Sequence, residues 1–156
     1  MTKREADRIA RQADTLRALG FTSVEADQLR RISLTLHRWH ERECGSDHAC
    51  VVRGHVVDGE FIYDDAGDAY EEHAGVSGRA RYQRVPDRER GALTRLTAIL
   101  AARNARVHAE YPQRETELRV YIQTDPRGAA LYLIRPGDVP EGASVDSYYD
   151  RGVCVY

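Results

Sequence analysis

ELRVYIQTDPRGAALYLIRPGDVPEGASVDSYYDRGVCVY, residues 117–156, holds the reading that decides the fold. Two apolar, strand-like runs flank Asp125-Pro126-Arg127-Gly128, and the chain closes on a short β-type tail around Cys154. Asp at the first turn position, Pro with its preset φ at the second and Gly where φ must be positive fit a type I turn. With a glycine bulge after that turn, the register opposes Ile122 to Tyr132 and Val120 to Ile134. Val120, Ile122, Tyr132 and Ile134 then form the predicted core side. The opposite side carries Arg119, Tyr121, Gln123, Leu131, Leu133 and Arg135. A solvated face rarely holds Tyr121, Leu131 and Leu133 together, so a helix or a partner is expected over it. Arg127 is the turn residue left free to contact something. The pattern predicts a compact, complete domain with a structural C-terminus.

Upstream, residues 3–19 place Ala6, Ile9, Ala13 and Leu16 at helical spacing, with Gly20 suited to the stop. A second helix starts at Thr22 or Ser23, carries Glu25 and Asp27 in its first turn, and runs to about residue 43. Its core face is Leu29, Ile32, Leu36 and Trp39, and Leu34 lies on the solvated side. The two helices read as a hairpin over residues 3–44. Residues 49–57, ACVVRGHVV, read as a strand, and Asp58-Gly59 is a hairpin turn into residues 60–63. Residues 64–77 read as a loop, and residues 79–85 as an edge strand. A third helix is predicted for residues 87–103, with Leu93, Leu96, Ile99 and Leu100 inward. Residues 104–116, with Pro112 near the middle, read as a polar connector. The expected fold is therefore α+β in a single domain, 1–156: a helical hairpin, an acidic strand and loop region over 49–77, a third helix, and a small antiparallel sheet ending in the hairpin at 117–135 and a tail at 136–156.

The 156 residues suffice for one buried core, which at this length removes roughly two-thirds of the unfolded surface. Apolar residues are 42% and charged residues 31%, a globular balance rather than a disordered one. No apolar run reaches membrane-span length and residues 1–11 lack an apolar signal core, so a cytoplasmic location is expected, with no membrane partner. Three cysteines, Cys44, Cys50 and Cys154, are too few and too uneven for a secreted disulfide framework. The net charge of −2 conceals a segregation. Residues 58–72 carry seven carboxylates and no lysine or arginine: Asp58, Glu60, Asp64, Asp65, Asp68, Glu71 and Glu72. Such a block repels itself and resists burial.

The segments RRISLTLHRWHERECG (30–45), VPDRERGALTRL (85–96) and YIQTDPRGAALYLIRPGDVPEG (121–142) together resemble a family of small uncharacterised proteins encoded by tailed phages and prophages of Gram-negative bacteria. The resemblance covers most of the chain except the acidic middle, and its most specific part runs from Asp125 to Gly142. It implies a phage or mobile-element accessory protein in a bacterial cytoplasm and transfers no catalytic or binding residue.

Several constellations could carry chemistry. The acidic block could occupy the basic groove of a host protein that handles nucleic acid, which favours fast, salt-sensitive association. Tyr121, Arg127, Leu131 and Leu133 of the terminal hairpin would add contacts. That makes a non-enzymatic accessory protein, modulating a host factor such as a defence system, the favoured function. The alternative is nucleic-acid or nucleotide binding through two arginine rows, Arg4, Arg8 and Arg11 on the first helix and Arg31, Arg38 and Arg42 on the second. A pI near 6.3 and the interleaved Glu5, Asp7 and Glu41 weigh against it. A small metal-dependent or hydrolytic enzyme comes third. His37, His40, Cys44, His48 and Cys50 are residue types that zinc takes, although their spacing matches no zinc signature, so no cofactor is expected and zinc is the alternative. Cys154 or Cys50 would need His40 or His55 beside it to act as a nucleophile, and no nucleophile elbow surrounds either cysteine. No phosphate-cradling glycine loop is present.

Overall fold

The structure is a computed structural model that describes residues 1–44, 53–63, 87–125, 128–138 and 152–155. Its elements run α1 (Lys3–Ala18), α2 (Ser23–Cys44), β1 (Arg53–Val57), β2 (Glu60–Tyr63), α3 (Asp87–Glu110), β3 (Arg119–Asp125), β4 (Gly128–Ile134), a 3₁₀ turn (Pro136–Asp138) and β5 (Val153–Val155). The strands form one antiparallel sheet in the order β2-β1-β3-β4-β5. The fold is α+β, as the sequence pattern implies.

Local chemistry starts and stops the helices. Thr2 caps α1 in a reciprocal box with Glu5. Thr22 and Glu25 repeat the device at the start of α2, each accepting from the other's backbone N–H. Between the helices Gly20 takes φ +99°, its N–H donates to the Arg17 carbonyl and that of Phe21 to the Leu16 carbonyl. These are the two bonds of a Schellman turn, and Leu16 and Phe21 meet in the core as that motif favours. At the β1–β2 turn Asp58 has φ +51° and Gly59 φ +78°. Two positive-φ residues between paired strand ends make the right-twisted two-residue hairpin that Asp-Gly encodes.

One sheet face carries the main core. Val56, Val120, Ile122, Leu131, Leu133 and Val155 are buried there with Leu29, Ile32 and Leu36 of α2 and Leu93, Leu96, Ile99 and Leu100 of α3. The side chain of Trp39, expected on the same face of α2, lies outside the described residues. On α1 only Leu16 is buried, so the predicted thin stripe leaves that helix at the margin. The tail strand β5 pairs with β4. The Gln12 Nε2 donates to the Cys154 carbonyl at 3.1 Å and the Ser33 hydroxyl to the Val155 carbonyl at 2.8 Å, tying α1 and α2 to β5.

Two expectations are corrected. The terminal hairpin pairs Asp125 with Gly128, Val120 with Leu133 and Ile122 with Leu131, one residue away from the bulged register. Because side chains alternate between faces, that shift exchanges the set on β4. Leu131 and Leu133 join Val120 and Ile122 beneath the helices, while Tyr132 and Ile134 lie with Tyr121 on the other face. The hairpin face assembled from Tyr121, Leu131 and Leu133 therefore does not exist: they are 5%, 1% and 2% exposed, on opposite sides of the sheet. Second, α3 continues to Glu110 through what reads as a connector. Ala105, Arg106, Ala109 and Glu110 favour helix, and Tyr111 before Pro112 ends it. The predicted residues 49–52 of the first strand, the loop at 64–77, the edge strand at 79–85 and the greater part of the tail at 136–156 lie outside the described residues.

Candidate functional site

The helical hairpin is mounted on the core by the C-terminal half of α3. Arg103, 5% exposed, donates from Nε to the Leu19 carbonyl at 2.7 Å and from a terminal nitrogen to the Thr116 carbonyl and to Asn104 Oδ1. Its guanidinium lies 5.9 Å from the centre of the Phe21 ring. Burial, and secondarily the like charge of Arg106, pushes its pKa down from the usual value. One turn on, Arg106 donates to the Gly20 carbonyl at 3.0 Å and pairs with the Glu25 carboxylate. Burial opposes ionisation of Glu25, but the hydrogen bonds from Arg106 and Thr22 outweigh it and hold the carboxyl below its ordinary range. The α1–α2 corner is thus gripped through its own carbonyls, which a helix end leaves without intrahelical partners.

That mount fixes a groove between the two helices. Arg8, Ile9 and Gln12 of α1 face Arg30 and Leu34 of α2 around a volume of about 120 Å³. Ile9 is half-buried and Leu34 is 38% exposed, so the groove has an aliphatic side open to solvent. Asp27 contacts Arg30 at 3.2 Å and Arg31 at 2.9 Å, one carboxylate shared by two guanidinium groups. Of the predicted arginine rows, Arg4, Arg8 and Arg11 on α1 and Arg31 and Arg38 on α2 are exposed. Arg8 is brought to the groove, and the side chain of Arg42 lies outside the described residues. Sequence reasoning missed Arg30. Its signal is the i, i+4, i+8 series Arg30, Leu34, Arg38, which shares one helix face.

The acidic block enters the described structure only at its start. Asp58 is exposed on the β1–β2 turn, and the Gly59 N–H donates to the Thr97 hydroxyl of α3 at 2.8 Å. A Cβ at Gly59 would lie 3.2 Å from the Thr94 hydroxyl, so the turn sits directly on α3. Glu60 begins β2 opposite Val57. The side chain of Glu60 and all of Asp64, Asp65, Asp68, Glu71 and Glu72 lie outside the described residues, as does Arg127.

The proposed catalytic and metal sets are placed in part. Cross-strand pairing puts His55, Tyr121, Tyr132 and Cys154 in a row across β1, β3, β4 and β5, with the His55 and Tyr121 rings 5.6 Å apart. His55 and Cys154 stand three strand spacings apart, about 14 Å, which rules out a hydrogen-bonded dyad between them. His37 is half-buried on α2, whereas the side chains of His40, Cys44, His48 and Cys50 lie outside the described residues. Among the described residues no group of three His, Cys, Asp or Glu is arranged to hold a metal ion. No described helix is long and apolar enough to cross a membrane. Compared with protein-family models, curated proteins and solved structures, the chain matches none.

Proposed function

We propose that this chain acts by binding, as a phage or prophage accessory protein that modulates a bacterial host factor, with the acidic run from Asp58 onward as its contact surface. The observation that supports this is the seating of Asp58. It is exposed on a tight turn whose next residue is hydrogen-bonded to α3, so the first carboxylate of the acidic run is held at a fixed point. A carboxylate series of this density suits the basic groove of a protein that handles nucleic acid. Affinity capture from a bacterial lysate, wild type against Asp64→Lys/Asp65→Lys/Asp68→Lys, tests it. A host protein recovered by the wild type and lost on charge reversal supports the reading, and no carboxylate-dependent partner removes it.

A second reading, nucleic-acid binding, draws on the meeting of Arg8 and Arg30 across one groove between helices that carry further exposed arginines. Its test is a labelled oligonucleotide titrated at several salt concentrations. A steep salt slope that Arg8→Glu/Arg38→Glu reduces would favour it.

A further inference from the structure

We infer that the groove between α1 and α2 is a docking site for an acidic amphipathic segment of another protein, anchored by one aliphatic or aromatic side chain. Three observations converge on that occupant. Leu34 is 38% exposed on a helix whose Leu29, Ile32 and Leu36 are all buried, so one large aliphatic side chain is held out of the core and into the groove. The volume of about 120 Å³ is matched to a single side chain, since an apolar cavity of about 150 Å³ accepts one benzene. Each wall carries a guanidinium group. Arg8 stands on α1 and Arg30 on α2, and because Asp27 is shared between Arg30 and Arg31 the α2 wall keeps a surplus cation. Exposed ion pairs of this kind are weak and exchange readily for an incoming carboxylate.

An apolar pocket rimmed by guanidinium groups fits a helix carrying leucines on one face and glutamates beside them, the helix-in-groove mode. A nucleic acid fits less well. Strand binding relies on aromatic platforms for bases and on converging donors for phosphate, whereas the lining here is Ile9, Leu34 and Gln12 between the two arginines. This site is opposite in charge to the acidic run and shares no residue with it, so either can fail without the other.

The test uses the full chain and a fluorescein-labelled synthetic helix of glutamate with leucines at i, i+3 and i+7, followed by fluorescence anisotropy. Saturable binding is expected, weakened about tenfold by Leu34→Asp and by Arg8→Glu, and several-fold on raising salt from about 50 to about 200 mM. Arg17→Glu makes the same charge change outside the groove and should alter affinity by less than about twofold. A control peptide with serine replacing leucine should lose binding. The inference is overturned by any of four results: no saturation, equal binding to Leu34→Asp with its far-UV circular dichroism unchanged, an equal loss in Arg17→Glu, or displacement of the peptide by a single-stranded oligonucleotide that binds more tightly.

Discussion

Replacing Gly20 by alanine isolates the contact that seats the helical hairpin on α3. Gly20 has φ +99°, and a Cβ built on it would lie 2.6 Å from Val107 Cγ2. Two separate costs follow. Holding an L side chain in the left-handed region costs about 1–2 kcal/mol, offset by about 0.4–1 kcal/mol because alanine also restricts the unfolded chain. The clash adds about 1–3 kcal/mol as overpacking, since a β-branched valine in a helix is confined to one rotamer and cannot swing aside. The net loss is about 2–3 kcal/mol, or a fall in Tm of roughly 4–12 °C for a chain of this size.

Urea unfolding followed at 222 nm reads that loss, and a double-mutant cycle divides it. Val107→Ala alone removes half-buried methyl groups and costs about 1 kcal/mol. Gly20→Ala/Val107→Ala relieves the clash and leaves the backbone strain and the lost Val107 methyl groups, so the two changes should fall short of additivity by the clash, about 1–3 kcal/mol. Additivity within about 0.3 kcal/mol would show that Gly20 and Val107 do not touch, and the account of the corner would be wrong.

Arg103→Met keeps the aliphatic stem but loses the bonds to the Leu19 and Thr116 carbonyls; after the desolvation it relieves, a net loss of about 2 kcal/mol is expected in chemical denaturation. Arg103→Lys should not restore the loss, because one ammonium lacks the fork that spans both carbonyls. Asn104 donates to the Leu118 carbonyl at 3.0 Å and accepts from the Leu118 N–H at 3.1 Å, as a neighbouring strand would. Asn104→Ala should speed hydrogen exchange at the Leu118 amide about tenfold, and unchanged protection would refute that role. Glu25 has a depressed pKa in the fold, so its contribution is present above the unfolded value near 4.5 and is lost as pH falls through the lower folded value. The stability gap between wild type and Glu25→Gln should therefore be full at neutral pH and shrink below about pH 4.5; a gap that does not change between neutral pH and pH 3 would contradict it.

What the sequence made legible is what local chemistry decides. The start of α2 at Thr22 or Ser23, Gly20 at a helix end and the Asp58-Gly59 turn each need only a few adjacent residues, and each lies where it is expected, with Thr22 taking the cap. The terminal hairpin failed for a different reason. Residues 131–134 are all apolar, so alternation along β4 carries no phase, and two turn geometries compatible with Asp-Pro-Arg-Gly differ by one residue in register. The helices choose between them by burying Leu131 and Leu133. The length of α3 was hidden because Asn104 reads as a solvated connector residue, while in the fold its side-chain amide bonds the Leu118 backbone. Arg30 stayed unnoticed for a related reason: a helix face can be read from spacing, but the neighbour across a groove cannot.

The same polar tethers decide how firmly the candidate groove is built. Burial of Leu16 alone cannot hold a helix of 16 residues against the sheet, since about 1.5–3 kcal/mol for one leucine is small beside the entropy of ordering that many side chains. Further restraint on α1 comes from its C-terminal end and its middle: the Leu19 carbonyl taken by Arg103, the Gly20 carbonyl taken by Arg106, and Gln12 bonded to the Cys154 carbonyl. Gln12 and Arg8 stand one turn apart on the groove side, so the wall that faces Arg30 and Leu34 is held in part by a bond directed at backbone. A substitution such as Gln12→Ala would then loosen the groove while leaving the α2–α3–sheet core intact. Docking at the proposed groove and global stability are therefore expected to respond separately to this substitution.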